Sequence, residues 1–532
     1  AILQNEVSMT KEYASHEDMH RKLMRGVNIL ADNVASTLGP AGRNVILHKQ
    51  GQNPFVTKDG VTVANFVDLE DPVENAAAQI IKQVAANTNQ LAGDGTTTST
   101  VLAREMIRSA QKYLATGASP VEIKRGMDKA ATAIVENLKG LSKPIASLED
   151  IEHIATISAN GDKSIGKLVS MAVDAVGKDG AITIEEARSM DTTLDMVEGF
   201  RFDSGYFAKS FVTDERRNSM VYENALLLVT DHRVENVEDI LPALEIAARE
   251  SRPFVIIAEE VEGQALAALI MNTMRGQMKV AAVKAPRYGE ERRNILKDLA
   301  ISVGATFISR DSGTHLKQVK LEHFGRCKKI ESLRSFTTIL GGDADWEKVE
   351  ERIETLKEEI RQNDEYGLAG AEQVQERITR LSSGIAIIRV GAATEVEMIE
   401  KKHRVEDALE AVYSAQQEGT VPGGGTALIQ AIKNLSVEID NEDQQIGVAI
   451  VKAAASEPLM QMARNAGDSP EIILSKVVAS KKNKGWNFAT GKLEDLYVAG
   501  IIDPAKVTRV ALLNSVSAAS TLITTNFSIV ET

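Results

Sequence analysis

GDGTTTST (93–100) is the segment on which the reading of this chain turns. Gly93 and Gly95 let the backbone approach an anion closely, and four consecutive hydroxyls, Thr96, Thr97, Thr98 and Ser99, supply donors. With a helix starting here, its first amides complete an anion nest. Asp94 inside such a loop is electrostatically misplaced unless a cation bridges it to phosphate oxygens, a task suited to Mg2+. A plain helix cap by Asp and Thr explains the same residues without any ligand. The segment is not the GxxxxGK[ST] phosphate loop.

Two further glycine-rich segments lie far away in the chain. LGPAGRN (38–44) is a tight backbone run with few side chains, and VPGGGTAL (421–428) places three glycines before a helix, which suits close packing on a ribose or a base. Each also reads as an ordinary turn. Two carboxylates gain a task if a phosphate site exists: Asp59 in the KDG turn (58–60) and Asp407 in KKHRVEDALEAV (401–412), a helix with the apolar stripe Val405, Ala408, Leu409 and Val412. Phosphoryl transfer needs acids that hold a metal and orient water. Solvated surface charge is the plainer reading of both.

Composition bounds the alternatives. A chain of 532 residues implies about three or four domains. Aromatics are only 4%, so the core must rest on Ala, Val, Ile and Leu. A net charge of −14 opposes nucleic-acid backbone binding as the main task. The single cysteine, Cys327, excludes an internal disulfide framework and a multi-cysteine zinc site. Its neighbours Arg326 and Lys328 allow a lowered-pKa thiol, with an incidental thiol as the other reading. The His residues show no metal-ligand spacing. No apolar run is long enough for a membrane span. The opening AILQNEVSMTKEYASHED has neither the apolar core of a signal peptide nor the Arg-rich character of a transit peptide, so a soluble, reducing compartment is expected.

The coarse elements follow from periodicity. Residues 18–140 read mainly as helix, beginning with Met24, Val27, Leu30, Ala31 and Val34 at steps of 3 and 4. Phe55 to Val63 reads as a hairpin turned by KDG. ISANGD (157–162) is a loop and GAITIEE (180–186) a strand. ALLLVT (225–230), PFVIIAEE (253–260), KVAAVKA (279–285) and ATFIS (305–309) read as buried strands alternating with helices, an α/β region with parallel pairing. The helix VEGQALAALIMNTM (261–274) is apolar nearly all round, so it is buried or offers one face to a partner. Residues 346–381 read as two antiparallel helices with charged outer faces, broken near a glycine. GIAIIRVG (384–391) is a strand, and the last hundred residues are helical again. This helical, mixed, α/β, mixed, helical order suggests nesting, with the middle of the chain inserted between its ends.

Taken in order, TLGPAGRNV, TKDGVTVA, AGDGTTTSTVLA, TISAN, VEGFRFDSGY, EEVEGQALAALIMNTMRG, KVAAVKAP, VGAATEVEM, RVEDAL, GTVPGGGTALI and IIDPAKVTR resemble the group I chaperonins, the GroEL type, over essentially the whole chain. The resemblance implies a multidomain α and α/β protein: a mostly helical equatorial ATPase domain (1–140 and 418–532), a small intermediate hinge domain (141–197 and 386–417) and an inserted α/β apical domain (198–385) that binds polypeptide. It implies ATP, Mg2+ and K+ as ligands, non-native polypeptides as clients, a homo-oligomeric heptameric ring with one or two rings, a GroES-type co-chaperonin lid as a possible partner, no nucleic acid and no membrane. It implies a cytoplasmic location, with an organelle matrix or a viral origin as open alternatives.

By the same resemblance, Thr37, Leu38, Gly39 and Pro40 line the phosphates with Lys58 nearby. Asp94 holds Mg2+, and Gly95, Thr96, Thr97 and Thr98 cradle the phosphate chain. Gly424 packs on the ribose, Asn487, Phe488 and Ala489 border the base, and Asp503 reaches the nucleoside. Asp407 positions the attacking water, with Asp59 as a second acid; K+ is expected near Thr37 and Lys58. Tyr206, Phe211, Leu241, Leu244, Leu266, Ile270 and Met271, with Asn272 beside them, match polypeptide and co-chaperonin contacts. The chain departs from the bacterial pattern at Ser210, where an aromatic is usual; at Phe488, a small residue; at Ala41, a lysine; and at Met460 and Ser469, an inter-ring Arg and Glu. Lys112, a further ring-to-ring position, is kept. A metabolic ATPase or kinase would need an acceptor-site motif, and none is visible. A ring-forming holdase with dead ATP chemistry would not need Asp59, Asp94 and Asp407.

Overall fold

Caps and small residues set the helices of the computed structural model, which describes residues 11–177, 181–366, 370–382, 384–481 and 483–531. The first ten residues of the opening segment, Gly180 at the head of GAITIEE and the break at 367–369 lie outside the described residues. The chain forms two compact units, one from Ala1–Met171 with Ala393–Thr532 and one from Ala172–Ala392.

The first unit is a layered bundle of His16–Ala35, Pro72–Ala92, Thr96–Ala115, Pro120–Leu141, Glu442–Ala455 and Ala505–Ile523. Asp71 caps its helix by accepting from the amides of Val73 and Glu74, and Ser119 caps the next by accepting from Glu122, each followed by proline at the first helical position. Leu30, Ile81, Leu102, Met106, Ile123, Met127, Val451 and Leu512 are buried in one core. Each such side chain contributes roughly 1.5–3 kcal/mol. With few aromatics, close approach replaces bulk. Gly126 of Pro120–Leu141 and Gly447 of Glu442–Ala455 face the backbones of Gln444 and Ile123, so the two helices cross almost in backbone contact.

The expected hairpin at 55–63 is not formed. Phe55–Thr57 pairs antiparallel with Val45–Leu47 instead, and Asp59 caps a helix, Gly60–Phe66, accepting from the Thr62 amide at 3.1 Å. An Asp before a glycine serves a turn or a cap equally well; here tertiary packing selects the cap.

The second unit holds a four-stranded sheet in the order Val280–Lys284, Phe254–Ala258, Leu226–Val229, Gly325–Arg326, its first three strands parallel. Buried on both faces, these strands carry unbroken apolar runs. ATFIS is not a strand: it contributes one isolated bridge, Thr230 to Ile308. Val237–Glu250, Gly263–Met274 and Gly289–Val303 are the helices between them. A six-stranded sheet runs in the order Ile182–Glu186, Gly384–Val390, Thr193–Phe202, Thr337–Leu340, Lys329–Ser332, Met220–Glu223. The antiparallel helices Trp346–Tyr366 and Ala371–Ser382 are not charged only on the outside. Arg377 makes a paired contact of 2.7 and 2.9 Å with buried Asp298, and Arg352 joins at 3.1 Å.

Cys327 is buried, and burial pushes its thiol up to about 12, which removes the lowered-pKa reading. At pH 8 the native thiolate is then scarce. Alkylation should run roughly a thousandfold slower in the folded protein than in urea, as a mass-spectrometric time course would show. Equal rates would contradict this burial.

Candidate nucleotide site and apolar face

The glycine-rich loops of the first unit meet through specific contacts. Lys58 Nζ donates to the Gly39 carbonyl at 3.1 Å, which joins the KDG segment to LGPAG. A Cβ on Gly60 would stand 2.5 Å from Thr97 Oγ1, so glycine lets the start of the Gly60–Phe66 helix lie against the threonine run. A Cβ on Gly423 would be 3.2 Å from Asp503 Oδ1, which places the GGG turn against the 502–504 strand. Gly95, with φ of +87°, starts the Thr96–Ala115 helix from a left-handed conformation. Thr96 Oγ1 is buried without a hydrogen-bond partner. An orphaned hydroxyl at a helix start, beside glycines, fits an anion cradle.

The other expected residues fall as follows. Thr37 is buried and its hydroxyl donates to Val34 O at 2.7 Å; Leu38 is half-buried and Pro40 exposed. Thr98 is half-buried on the first turn of its helix. Gly424, with φ of +63°, lies against the Trp486 carbonyl. Asn487 uses its side chain on its own turn, donating to Glu494 at 2.9 Å and accepting from the Ala489 amide at 3.0 Å. Phe488 packs on the cluster of Ile429, Leu459 and Trp486.

Burial disfavours charge on two carboxylates of the site. Burial, and then the charge of Asp59, raise the pKa of Asp94, opposed by bonds from the Gly95 amide and the Ser158 hydroxyl. Burial, and then Asp94, push Asp503 up to about 7. Burial lowers Lys58, whose ammonium bonds the Gly39 carbonyl. Asp94 and Asp503 lie deep yet keep some open surface, as groups lining a cleft do. No cluster of three or more His, Cys, Asp or Glu side chains fit to hold a metal occurs among the described residues. Asp94 with at most one further carboxylate would leave most of a metal's shell to phosphate oxygens and water. That donor set fits Mg2+, which keeps its waters and leans on substrate phosphates.

Asp407 lies on the Glu395–Glu418 helix, whose Val405, Ala408, Leu409 and Val412 are buried. The helix rests on the GDG loop: Ser414 Oγ donates to Ala92 O at 2.6 Å, and a Cβ on Gly93 would run into the Glu410 side chain. Arg404 pairs with Asp162 at 3.0 Å. Sequence reasoning missed Asn465, whose amide donates to both Ala35 O and Leu38 O at 2.9 Å and so pins the LGPAG loop. Nothing in QMARNAG signals that role. It also missed Ser158, in the middle of the quoted TISAN, whose hydroxyl donates to Asp407 O at 3.0 Å.

In the second unit, Leu241 and Met271 are about half exposed on Val237–Glu250 and Gly263–Met274. Leu266 and Ile270 are partly buried against the core. Asn272 donates to Ala268 O, and the Tyr206 hydroxyl donates to Asn218 O at 2.9 Å. Phe211 and Leu244 are buried in the core, so their side chains lie beneath the exposed face rather than on it. Met274, at 73% exposed, belongs to that face and was not foreseen. The Gly263–Met274 helix thus does both of the things its apolar sequence allowed: Ala265 and Leu269 are buried, Met271 and Met274 are open.

A family description, the TCP-1/cpn60 chaperonin family, matches residues 30–532. The chain belongs to that family, and its fold is the multidomain chaperonin fold. A solved structure of the chaperonin gp146 from the bacteriophage EL 2 (Pseudomonas aeruginosa), determined in the presence of ATP-BeFx, shares the fold with a TM-score of 0.65 at 20% identity, covering 97% of this chain and 98% of that one. Family membership makes this a chaperone. No helix among the described residues is long and apolar enough to cross a membrane.

Proposed function

We propose that this chain is an ATP-driven folding machine that captures non-native polypeptides on its exposed apolar face and releases them into a ring cavity. The observation that carries the reading is the deep-set pair of carboxylates Asp94 and Asp503 beside an orphaned Thr96 hydroxyl, with the Asp407 helix resting on the same loop. Asp94 would hold Mg2+, which neutralises charge on the phosphates. Gly95 to Thr98 and the 37–40 loop cradle the phosphate chain, Gly424 and 487–489 border the nucleoside, and K+ is assigned near Thr37 and Lys58. Asp407 orients the attacking water, with Asp59 as a second acid. The division into equatorial (1–140, 418–532), intermediate (141–197, 386–417) and apical (198–385) domains belongs to this proposal, as does a cytosolic setting. The gp146 structure, determined with ATP-BeFx, supports a nucleotide site by analogy of fold.

Leu241, Met271 and Met274 of one copy bind a client weakly, since each buried side chain contributes only roughly 1.5–3 kcal/mol. A ring presents several copies, and avidity supplies grip without sequence specificity. Two exposed sheet surfaces of the first unit supply candidate ring contacts: Ile46 and Val56 on one hairpin, and Phe527 and Ile529 on the terminal strand. The test is recovery of a chemically denatured client enzyme. Yield should rise with ATP and Mg2+ present and stay low with either omitted; equal yields without nucleotide would reduce the chain to a holdase. Met460 and Ser469 provide no ion pair between rings, so mass photometry is expected to show single rings as well as double ones. Stable double rings in every nucleotide state would refute that expectation.

A further inference from the structure

Ser158 touches both halves of the candidate hydrolytic site without being part of either. It ends the Leu148–Ser158 helix, half-buried. Its hydroxyl donates to the backbone oxygen of Asp407 at 3.0 Å and stands 3.4 Å from Oδ2 of Asp94. A hydroxyl carries one proton, so the two acceptors share it and the longer carboxylate contact is the weaker of the two. The same segment is tied a second time to the same turn of helix: Asp162, four residues on, pairs with Arg404, three residues before Asp407. Residues 158–162 and 404–407 are therefore joined at two points, and Ser158 is where this joined piece reaches the carboxylate of the GDG loop.

We propose that Ser158 is a positioning residue for hydrolysis: its hydroxyl registers the helix turn bearing Asp407 against the carboxylate of Asp94. The inference rests on the assignment of Asp94 and Asp407 above. Without the hydroxyl, Arg404 with Asp162 and Ser414 with Ala92 still hold the helix near the loop. What is lost is the link to the carboxylate itself. A partner of this kind orients a metal-holding group and usually matters 10- to 100-fold for metal affinity. At 3.4 Å the contact is long, so a smaller effect is expected.

The experiment uses the full-length assembled protein with Ser158→Ala and Ser158→Thr. Mn2+ affinity is read by electron paramagnetic resonance with ATPγS present, and ATP turnover is read separately. Ser158→Ala should weaken Mn2+ binding about 3- to 10-fold and lower kcat about 10-fold, with ATP affinity and assembly kept. Ser158→Thr, which keeps a hydroxyl, should restore both readings to within about twofold of wild type. Wild-type values for Ser158→Ala, a fall in kcat with Mn2+ affinity unchanged, or equal losses in both variants would overturn the proposal. Absence of nucleotide-dependent Mn2+ binding in the wild type would instead remove the assignment of Asp94 on which it rests.

Discussion

Asp407→Ala is expected to lower steady-state ATP turnover roughly 100-fold or more, while ATP affinity stays within about threefold. The reason is positional. Asp407 lies on the Glu395–Glu418 helix, whereas the proposed phosphate cradle comprises the 93–98 loop and the 37–40 loop. Removing the Asp407 carboxylate leaves the backbone of those loops and the buried stripe Val405, Ala408, Leu409 and Val412 that seats the helix. The variant should bind nucleotide and assemble, then stall before hydrolysis. Phosphate release measured beside equilibrium binding of ATP distinguishes the cases. Full turnover in the variant would show that another group positions the water.

Gly126→Val is expected to disrupt the first unit more than any surface change. A Cβ at Gly126 runs into the carbonyl oxygen of Gln444, and one at Gly447 runs into that of Ile123. Both obstacles are backbone, so neither can swing aside as a side-chain tip would. Overpacking typically costs about 1–3 kcal/mol, and a clash of helix backbones belongs at or above the upper end. Pro120–Leu141 and Glu442–Ala455 come from the two ends of the chain, so prising them apart also loosens the closure of the unit. Gly140, near the end of the same helix, is the control: a Cβ there meets nothing within 4 Å. Gly140→Ala should be neutral or slightly stabilising. Urea titrations of the two variants are expected to separate widely, and coincident midpoints would contradict the crossing geometry.

What the residues disclosed in advance was local or periodic. The helices over 16–141 follow from apolar steps of 3 and 4, and the parallel strands around 226–284 follow from unbroken apolar runs. Where one local pattern serves two structures, the sequence did not decide. Asp59 before Gly60 fits a hairpin turn as well as a helix cap, and only packing of Gly60 against Thr97 selects the cap. ATFIS has the composition of a strand but makes only a single bridge. Contacts between distant segments were invisible for a different reason. Asn465 reaches the 35–38 loop across more than four hundred residues, and nothing in its own neighbourhood marks it. The charged helix pair at 346–382 concealed its inward Arg377, because its partner Asp298 lies in another helix. Phe211 shows the converse: the family resemblance points to a binding surface, while its side chain is buried.

Under the proposed function, nucleotide bound in the first unit would govern an apolar face in the second. Fluorescence anisotropy of a labelled, denatured client held by the assembled protein tests it in one cuvette. Adding ATP with Mg2+ should drop the client's anisotropy toward that of the free, folding chain, and ADP or ATP without a divalent cation should not. Anisotropy that stays high through complete ATP consumption would contradict the account.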